Sequence, residues 1–451
     1  MKKVLSTVAA LGLVAGLAST AAAVEFKMSG TYLVEGAYLS DARGAGLDVT
    51  EAAGESTPSD AYWLHTFEMK PTMKVNDKIS MSATIRLADD TFWGGQAGGD
   101  TNTNSTGARS IGETSGDVEV WHLYMDYASP IGKMRFGRTP AGPYGTAFND
   151  PDLRRDRVML WPSFLASGPF STLFYIQKNT ENTQVGTAND ETDADSDTYT
   201  ARLYYKTDSV DTGLNYSYMN DMTDDTLSNR KYDLTVYGKF KMDNFFLNGE
   251  LTHFFGEKDW DAAATLDRDY DSWGGMLQVG AKLDALTPSL MYIYASGQDR
   301  SETAANGGDM ESFFTASAAG GTGDLFEPLY ILTGRHTGML NNDIFAVNTA
   351  MTTAGVHAVI AAADYAVSNQ LKLHGAIGYA QADEAETATY TNRDDEYGWE
   401  YNIGAAYKLL DNLTYEAHFG YLDTGDFFKS TATTDDTENV YVLTHSLTMT
   451  F

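Results

Sequence analysis

The chain contains no cysteine, so disulfide bonds and thiolate metal ligands are both excluded. Proline is scarce, with 10 residues in a chain of 451. Positive charge is also scarce: 31 lysines and arginines stand against 62 aspartates and glutamates, and the net charge is -31. Because such a chain repels phosphate backbones, we exclude nucleic acid as a partner.

Long apolar runs are absent beyond the N-terminus. Lys2 and Lys3 precede an apolar stretch from Val4 to Ala18, and small residues at 21–23 fit a cleavage site. A membrane anchor is the alternative, but the run is short and ends in small residues. No later stretch reaches the roughly 18 apolar residues that a helical span needs. We therefore predict a signal peptide at 1–23, a single exported domain at 24–451 and no membrane helix.

The C-terminus has a period of two. Its polar face carries Thr444, Ser446, Thr448 and Thr450, and His445 interrupts the other face. The residues of that other face are Tyr441, Leu443, Leu447, Met449 and Phe451. A strand of a soluble sandwich would alternate in the same way. A final strand that ends in Phe, however, resembles those of bacterial outer-membrane barrel proteins, which also carry signal peptides.

The same alternation recurs from Val24 to the end of the chain. Its segments are joined alternately by short turns and by long polar loops. Backbone polar groups in lipid must pair within a closed sheet, and membrane barrels have short periplasmic turns and longer external loops. We predict an all-β fold, a transmembrane antiparallel β-barrel of 18 strands. Sixteen strands is the alternative, if two of the fifth to seventh segments merge. Asn76, Asp243 and Asn412 would be periplasmic, and Asp193, Asp394 and Asp436 external.

Charged residues concentrate between 134 and 170, which we assign to the fifth strand, the third external loop and the sixth strand. We predict that this loop folds inward and places its acids opposite arginines of the wall. Arg138 shares the parity of Met134 and Phe136, so it points inward only if the strand breaks before Pro140. The alternative is local ion pairing that holds the loop or a subunit contact. The predicted constriction residues are Arg86, Arg135, Arg138, Arg154, Arg155, Arg157, Arg202, Asp150, Asp152 and Asp156.

The longest loop, 296–353, contains an apolar stretch from Leu325 to Leu332, followed by Arg335 and His336. A loop of this length with apolar content is usually folded. We interpret it as a lid on the barrel mouth or a subunit contact. A second pore-lining segment, with Arg335 and His336 toward the channel, is the alternative.

Several motifs together resemble the general trimeric porins of Gram-negative bacteria. They are Gly137-Arg138 before a long third loop, Arg157-Val158 opening the next strand, the run 173–177, and the segment 327–338. The last of these is similar to porins of sulfate-reducing and related anaerobic bacteria. The resemblance implies an outer-membrane homotrimer through which small hydrophilic solutes and ions diffuse passively. The chain departs from the pattern in its strand count and in carrying arginines on the loop itself.

No catalytic or metal motif stands out. Asp190 to Asp197 supplies alternating acids, but Thr198 occupies the position where a calcium loop needs Gly. The eight histidines are scattered singly, and no nucleophile motif is present. We therefore expect no enzyme activity, no metal and no cofactor; the partners are small solutes, ions and outer-membrane lipid. A substrate-selective, sugar-type porin is the alternative, followed by a barrel-based enzyme or adhesin.

Overall fold

The computed structural model describes residues 24–40, 42–43, 46–47, 59–93, 118–140, 144–150, 154–181, 195–223, 227–260, 266–317, 326–334, 339, 349–386, 394–429 and 437–451. The expected signal peptide lies outside these residues, and so do Asp152, Asp193, Asp436, Arg335 and His336.

Eighteen antiparallel strands form one closed sheet, which confirms the predicted count. The first strand pairs with the second and also with the last, so the sheet has no free edge. The strands are β1 (Glu25–Leu39), β2 (Asp60–Lys74), β3 (Ile79–Phe92), β4 (Glu119–Ser129), β5 (Gly132–Thr139), β6 (Arg155–Pro162), β7 (Phe170–Thr180), β8 (Ser196–Lys206), β9 (Val210–Asp221), β10 (Leu227–Met242), β11 (Phe245–Trp260), β12 (Arg268–Ala281), β13 (Leu286–Ala295), β14 (Val356–Ala366), β15 (Leu371–Gln381), β16 (Glu396–Leu410), β17 (Leu413–Thr424) and β18 (Val440–Thr450).

Alternation along the strands gives the barrel an apolar outer face and an inner face with both polar and apolar residues. In β11, Leu247 and Leu251 are exposed on the outside, whereas Glu250 and Thr252 are buried inside. Transmembrane barrels have such an apolar outer face, because lipid surrounds a sheet of this kind.

The connections at one end of the barrel, which we call the turn end, are two to seven residues long. The Asn76 side chain accepts hydrogen bonds from the N–H groups of Lys78 and Ile79. Asp243 and Asp284 have φ angles of 50° and 53°, a left-handed conformation that Asp adopts more easily than most residues. The long connections lie at the other end, which we call the connection end.

Helices are few and short in the described part of the chain. They are α1 (Phe313–Ala316), α2 (Thr349–Ala354) and two 3-10 turns, Ser163–Leu165 and Asp426–Phe428. A two-stranded hairpin pairs Ala42–Arg43 with Gly46–Leu47. Among the described helices, none has the length and apolar character needed to cross a membrane.

Both bounds of the sixth strand differ from the prediction. β6 begins at Arg155 rather than Arg157, so Arg155 and Asp156 belong to the wall instead of the loop. β6 also ends at Pro162, and residues 163–165 form a 3-10 turn that brings the chain round to β7. The sequence placed the start too late because consecutive charged residues there interrupt the alternation.

Candidate channel constriction

The connection between β5 and β6 contacts the inner face of the barrel. The ring of Tyr144 packs edge-on against Tyr204 and Tyr237, with centroids 5.5 and 5.0 Å away. The Thr146 N–H donates to the Glu250 carboxylate over 2.5 Å. Burial raises the pKa of the Tyr144 phenol above its ordinary value, so this group stays neutral. The described residues 144–150 therefore pack inside the barrel, against β8, β10 and β11.

Three of the predicted arginines, Arg155, Arg157 and Arg202, line one cavity of about 470 Å³. Arg157 is buried and donates to the Gln177 side chain and the Pro140 carbonyl oxygen over 2.8 and 3.1 Å. Within the described part of the chain, none of the three arginines forms an ion pair with a carboxylate. Their charge is therefore available to a solute in the cavity.

Neutral polar groups hold Arg202 in place. Its Nε donates to Asn215 over 2.9 Å and its Nη2 to the Tyr175 hydroxyl over 3.3 Å. The ring of Tyr144 lies 4.6 Å from the guanidinium carbon, measured to the ring centroid. These contacts fix the position of the guanidinium without cancelling its charge.

Asp150, one of the predicted constriction residues, lines the same cavity. Asp233 and Glu250 line it too and were not predicted as site residues. Their inward parity on β10 and β11 was the only signal that could have identified them. The cavity thus contains both signs of charge, with Arg155 and Arg157 supplied by β6.

Arg86 and Arg154 stack on opposite sides of one indole ring. Their guanidinium carbons lie 3.5 and 3.3 Å from the centroid of Trp121. Arg86 also pairs with Glu68 at 3.0 Å and Asp89 at 2.7 Å. Arg154 pairs with Glu119. Both arginines are neutralised locally, and the Arg154 contact ties the end of the β5–β6 connection to the wall.

Arg135 is paired in the same way. Its Nε and Nη2 donate to the two oxygens of Asp126 over 2.7 and 3.0 Å, in a bidentate arrangement. Its guanidinium carbon lies 4.0 Å from the centroid of Tyr124. Arg135 thus lies on the inner wall, where its charge is compensated.

Arg138 and Asp156 do not join the other residues. β5 continues unbroken to Thr139, and Arg138 pairs in register with Leu123 and Asp156. Leu123 is exposed on the outer face, and both charged residues are exposed as well. The strand break that would turn Arg138 inward does not occur, so these two residues lie on the outer wall and cannot line the interior of the barrel.

The connection between β13 and β14 also enters the barrel, which the preferred interpretation as a lid or subunit contact did not foresee. The N–H groups of Ile331 and Leu332 donate to the two carboxylate oxygens of the fully buried Glu400, over 2.7 and 2.8 Å. The Tyr330 hydroxyl is hydrogen-bonded to His418 over 2.8 Å. Since His418 lies midway along β17, residues 326–334 descend to about half the depth of the wall.

The wall leaves room for this segment through glycines at inward positions. A Cβ atom built on Gly378 would lie 2.7 Å from Leu329. On Gly404 it would lie 2.6 Å from the Tyr330 hydroxyl, and on Gly420 about 3.3 Å from Ile331. Three inward glycines on adjacent strands were the sequence signal that could have located this segment.

The two inward connections touch each other. Phe148 of the first contacts Phe313 and Phe326 of the second, with centroids 5.6 and 5.5 Å away. Ser317 donates a hydrogen bond to Asn149 over 2.7 Å. Together with apolar side chains of β11 to β18, they form a hydrophobic core inside the connection end of the barrel. The arginine cavity borders this core, since Asn149 and Phe254 also line the cavity.

A closed barrel of 18 strands with connections packed inside it is the architecture of outer-membrane porins. Among solved structures, Pseudomonas aeruginosa OpdQ matches with a TM-score of 0.52 at 12% identity, covering 94% of this chain and 97% of that one. Pseudomonas aeruginosa OccK9 (OpdG) matches with 0.52 at 12%, covering 95% and 99%. Acinetobacter baumannii OccAB4 matches with 0.51 at 12%, covering 94% and 98%. At this identity the likeness establishes the fold. No family model and no curated protein sequence matches the chain.

Proposed function

We propose that the chain is an outer-membrane channel through which small hydrophilic solutes and ions diffuse passively, without enzymatic activity. The observation that carries this proposal is the cavity beside the inward connections, where Arg155, Arg157 and Arg202 have no carboxylate partner in the described part of the chain. Large barrels leave an aqueous lumen, and charged groups at a narrow point decide which ions pass. Asp150 lies in the same cavity, so a solute would meet both signs of charge.

A sugar-selective channel is the second candidate, because such channels need free aromatic faces along the path. The inner wall does carry Trp121, Tyr124 and Tyr175. Guanidinium groups stack on Trp121 and Tyr124 at 3.3 to 4.0 Å, so those faces are not free for sugar rings. We therefore favour a channel selective for charge.

The experiment is a comparison in liposomes and planar bilayers. Folded protein in liposomes should admit small sugars and amino acids, and single channels should show discrete conductance steps. Solutes of equal size and different charge should enter at different rates. Folded protein that gives neither swelling nor conductance would refute the channel and leave an enzyme or adhesin.

We further propose a homotrimer that contacts its neighbours through β4 to β7. The alternation between Val118 and Ile176 is weak, and Arg138 and Asp156 stand on the outer face there. A wall that contacts protein instead of lipid need not be uniformly apolar.

A further inference from the structure

Lysines surround the barrel at its turn end, on the inner face. Val279 points outward, and Lys282 lies three residues after it, so Lys282 points inward. Lys408 lies between the exposed residues Tyr407 and Leu409, so it points inward as well. The same parity places the other members of the set inward. The full set is Lys27, Lys74, Lys78, Lys133, Lys206, Lys239, Lys241, Lys282, Lys372 and Lys408.

The lysines fall into two groups. Four have a carboxylate partner: Lys27 pairs with Glu25, Lys74 with Asp77, Lys133 with Asp126 and Lys206 with Asp211. The others have no ion pair with any described residue, and the short turns of this end are all described. These unpaired lysines are Lys78, Lys239, Lys241, Lys282, Lys372 and Lys408.

The acids of this end do not cancel the unpaired group. Several occupy the tips of the turns, where Asp243 and Asp284 provide the left-handed conformation that the turn requires. Among inward acids, Asp364 binds His374 at 2.9 Å, Glu416 on β17 has no ion pair with a described residue, and those named above are paired with lysines. The inner surface of the turn end therefore carries positive charge in a chain whose net charge is -31.

The set is densest beside β1 to β5, where it lines a hollow. Lys27, Lys74, Lys78 and Lys133 surround a cavity of about 430 Å³ that opens at the turn end, together with the paired carboxylates of Glu25, Asp77 and Asp126. Neighbouring strands are about 4.8 Å apart, so flexible lysine side chains from several strands reach one bound group. Lysine binds phosphate as a point charge, and several lysines together favour an anion with several charges.

We propose that this lysine ring binds small polyvalent phosphate anions at the turn end, which the predicted topology makes the periplasmic mouth. The connection end offers the opposite charge: Asp299, Glu302, Asp309 and Glu311 are among its acids. A polyvalent phosphate is attracted to one mouth and repelled from the other. It therefore blocks the channel from the turn end and not from the connection end.

The electrical test rests on the proposed channel function and uses tripolyphosphate, added to one side of a bilayer holding a single channel. A cysteine in place of Asp394, blocked by an impermeant thiol reagent, reports which way the channel is inserted. Tripolyphosphate should reduce the current only from the turn end. The block should weaken as salt shortens the Debye length from about 10 Å at 0.1 M to about 3 Å at 1 M.

Replacing all six unpaired lysines by glutamine should abolish the block, whereas replacing them by arginine should preserve it. Equal block from both sides, or a block that survives in the glutamine variant, would overturn the proposal. Calorimetric titration of tripolyphosphate into detergent-solubilised protein supplies a readout that needs no conductance. Binding should be lost in the glutamine variant and kept in the arginine variant. If the protein binds tripolyphosphate in this way but shows no conductance, the proposed channel function is wrong and the proposed phosphate binding by the lysine ring still holds.

Discussion

The ring of Phe148 stacks on the ring of Phe313, with centroids 5.6 Å apart and planes inclined by 15°. Phe148 belongs to the β5–β6 connection and Phe313 to α1 of the β13–β14 connection. Both side chains are fully buried. Two connections that are far apart in sequence thus share one apolar contact inside the barrel, and the position of each depends on the other.

We expect Phe148→Ala to loosen both connections. Loss of a buried phenylalanine costs about 3 to 5 kcal/mol of folding free energy. Single-channel recordings should show higher and noisier conductance, because the first connection loses its contact with the second. Phe164→Ala is the matched control, since Phe164 is 71% exposed at a short turn. Similar conductance noise in both variants would contradict the shared contact.

Glu400 should be needed to hold residues 326–334 inside the barrel. In Glu400→Ala, the N–H groups of Ile331 and Leu332 lose their acceptor, and each unpaired buried group costs about 1 to 3 kcal/mol. We expect greater conductance and protease cleavage within 326–334. Glu400→Gln keeps one acceptor oxygen and should show an intermediate effect. A Glu400→Ala channel with unchanged conductance and protease resistance would show that apolar packing alone holds the segment.

Ion selectivity should depend on Arg155, Arg157 and Arg202 together. Replacing all three by glutamine removes the unpaired positive charge from the cavity, so the reversal potential in a salt gradient should shift toward cation preference. Arg138→Gln is the control, because Arg138 is exposed on the outer wall. A shift of equal size in the control would contradict the placement of these arginines.

Topology can be tested with single cysteines, because the chain contains none. On whole cells, an impermeant thiol reagent should label Asp394→Cys and leave Asn412→Cys unlabelled. Asn76→Cys and Asp243→Cys should behave like Asn412→Cys, since all three lie at the turn end. Strong labelling of Asn412→Cys in intact cells would reverse the assignment of the two mouths.

The proposed trimer can be tested by placing a charge on its contact surface. Val158 is 48% exposed on the outer face of β6, within the proposed contact surface of β4 to β7. Light scattering in detergent should give three subunits for the unaltered protein and one for Val158→Arg. The control is Val236→Arg, because Val236 is equally exposed but lies on β10, outside this surface. If the unaltered protein is a monomer in detergent, the proposed trimer is wrong.

The wall of the barrel was predictable from sequence because alternation and turn chemistry are local. Asn76 and Asp243 mark their turns through contacts within three residues or their own backbone angles, and both predicted turns occur. Arg138 has the same parity as Met134 and Phe136, which indicates an outward side chain, and the structure agrees. Only the expected strand break, which would have turned Arg138 inward, was wrong. Glu400 and Ile331, by contrast, meet across 69 residues of sequence, and no local pattern encodes such a contact. The same applies to Phe148 and Phe313.

Closure of the sheet by β1 and β18 makes folding depend on a contact between strands that lie far apart in the sequence. Thr31 pairs with Thr450, and Gly30 exchanges two backbone hydrogen bonds with Phe451, at 2.9 and 3.1 Å. Until that seam forms, two strand edges remain open to other chains, which is the usual route to aggregation. A Cβ on Gly30 would lie 2.4 Å from the Phe451 ring, so a larger residue there would obstruct the seam. A substitution at one end of the chain can thus prevent assembly at the other.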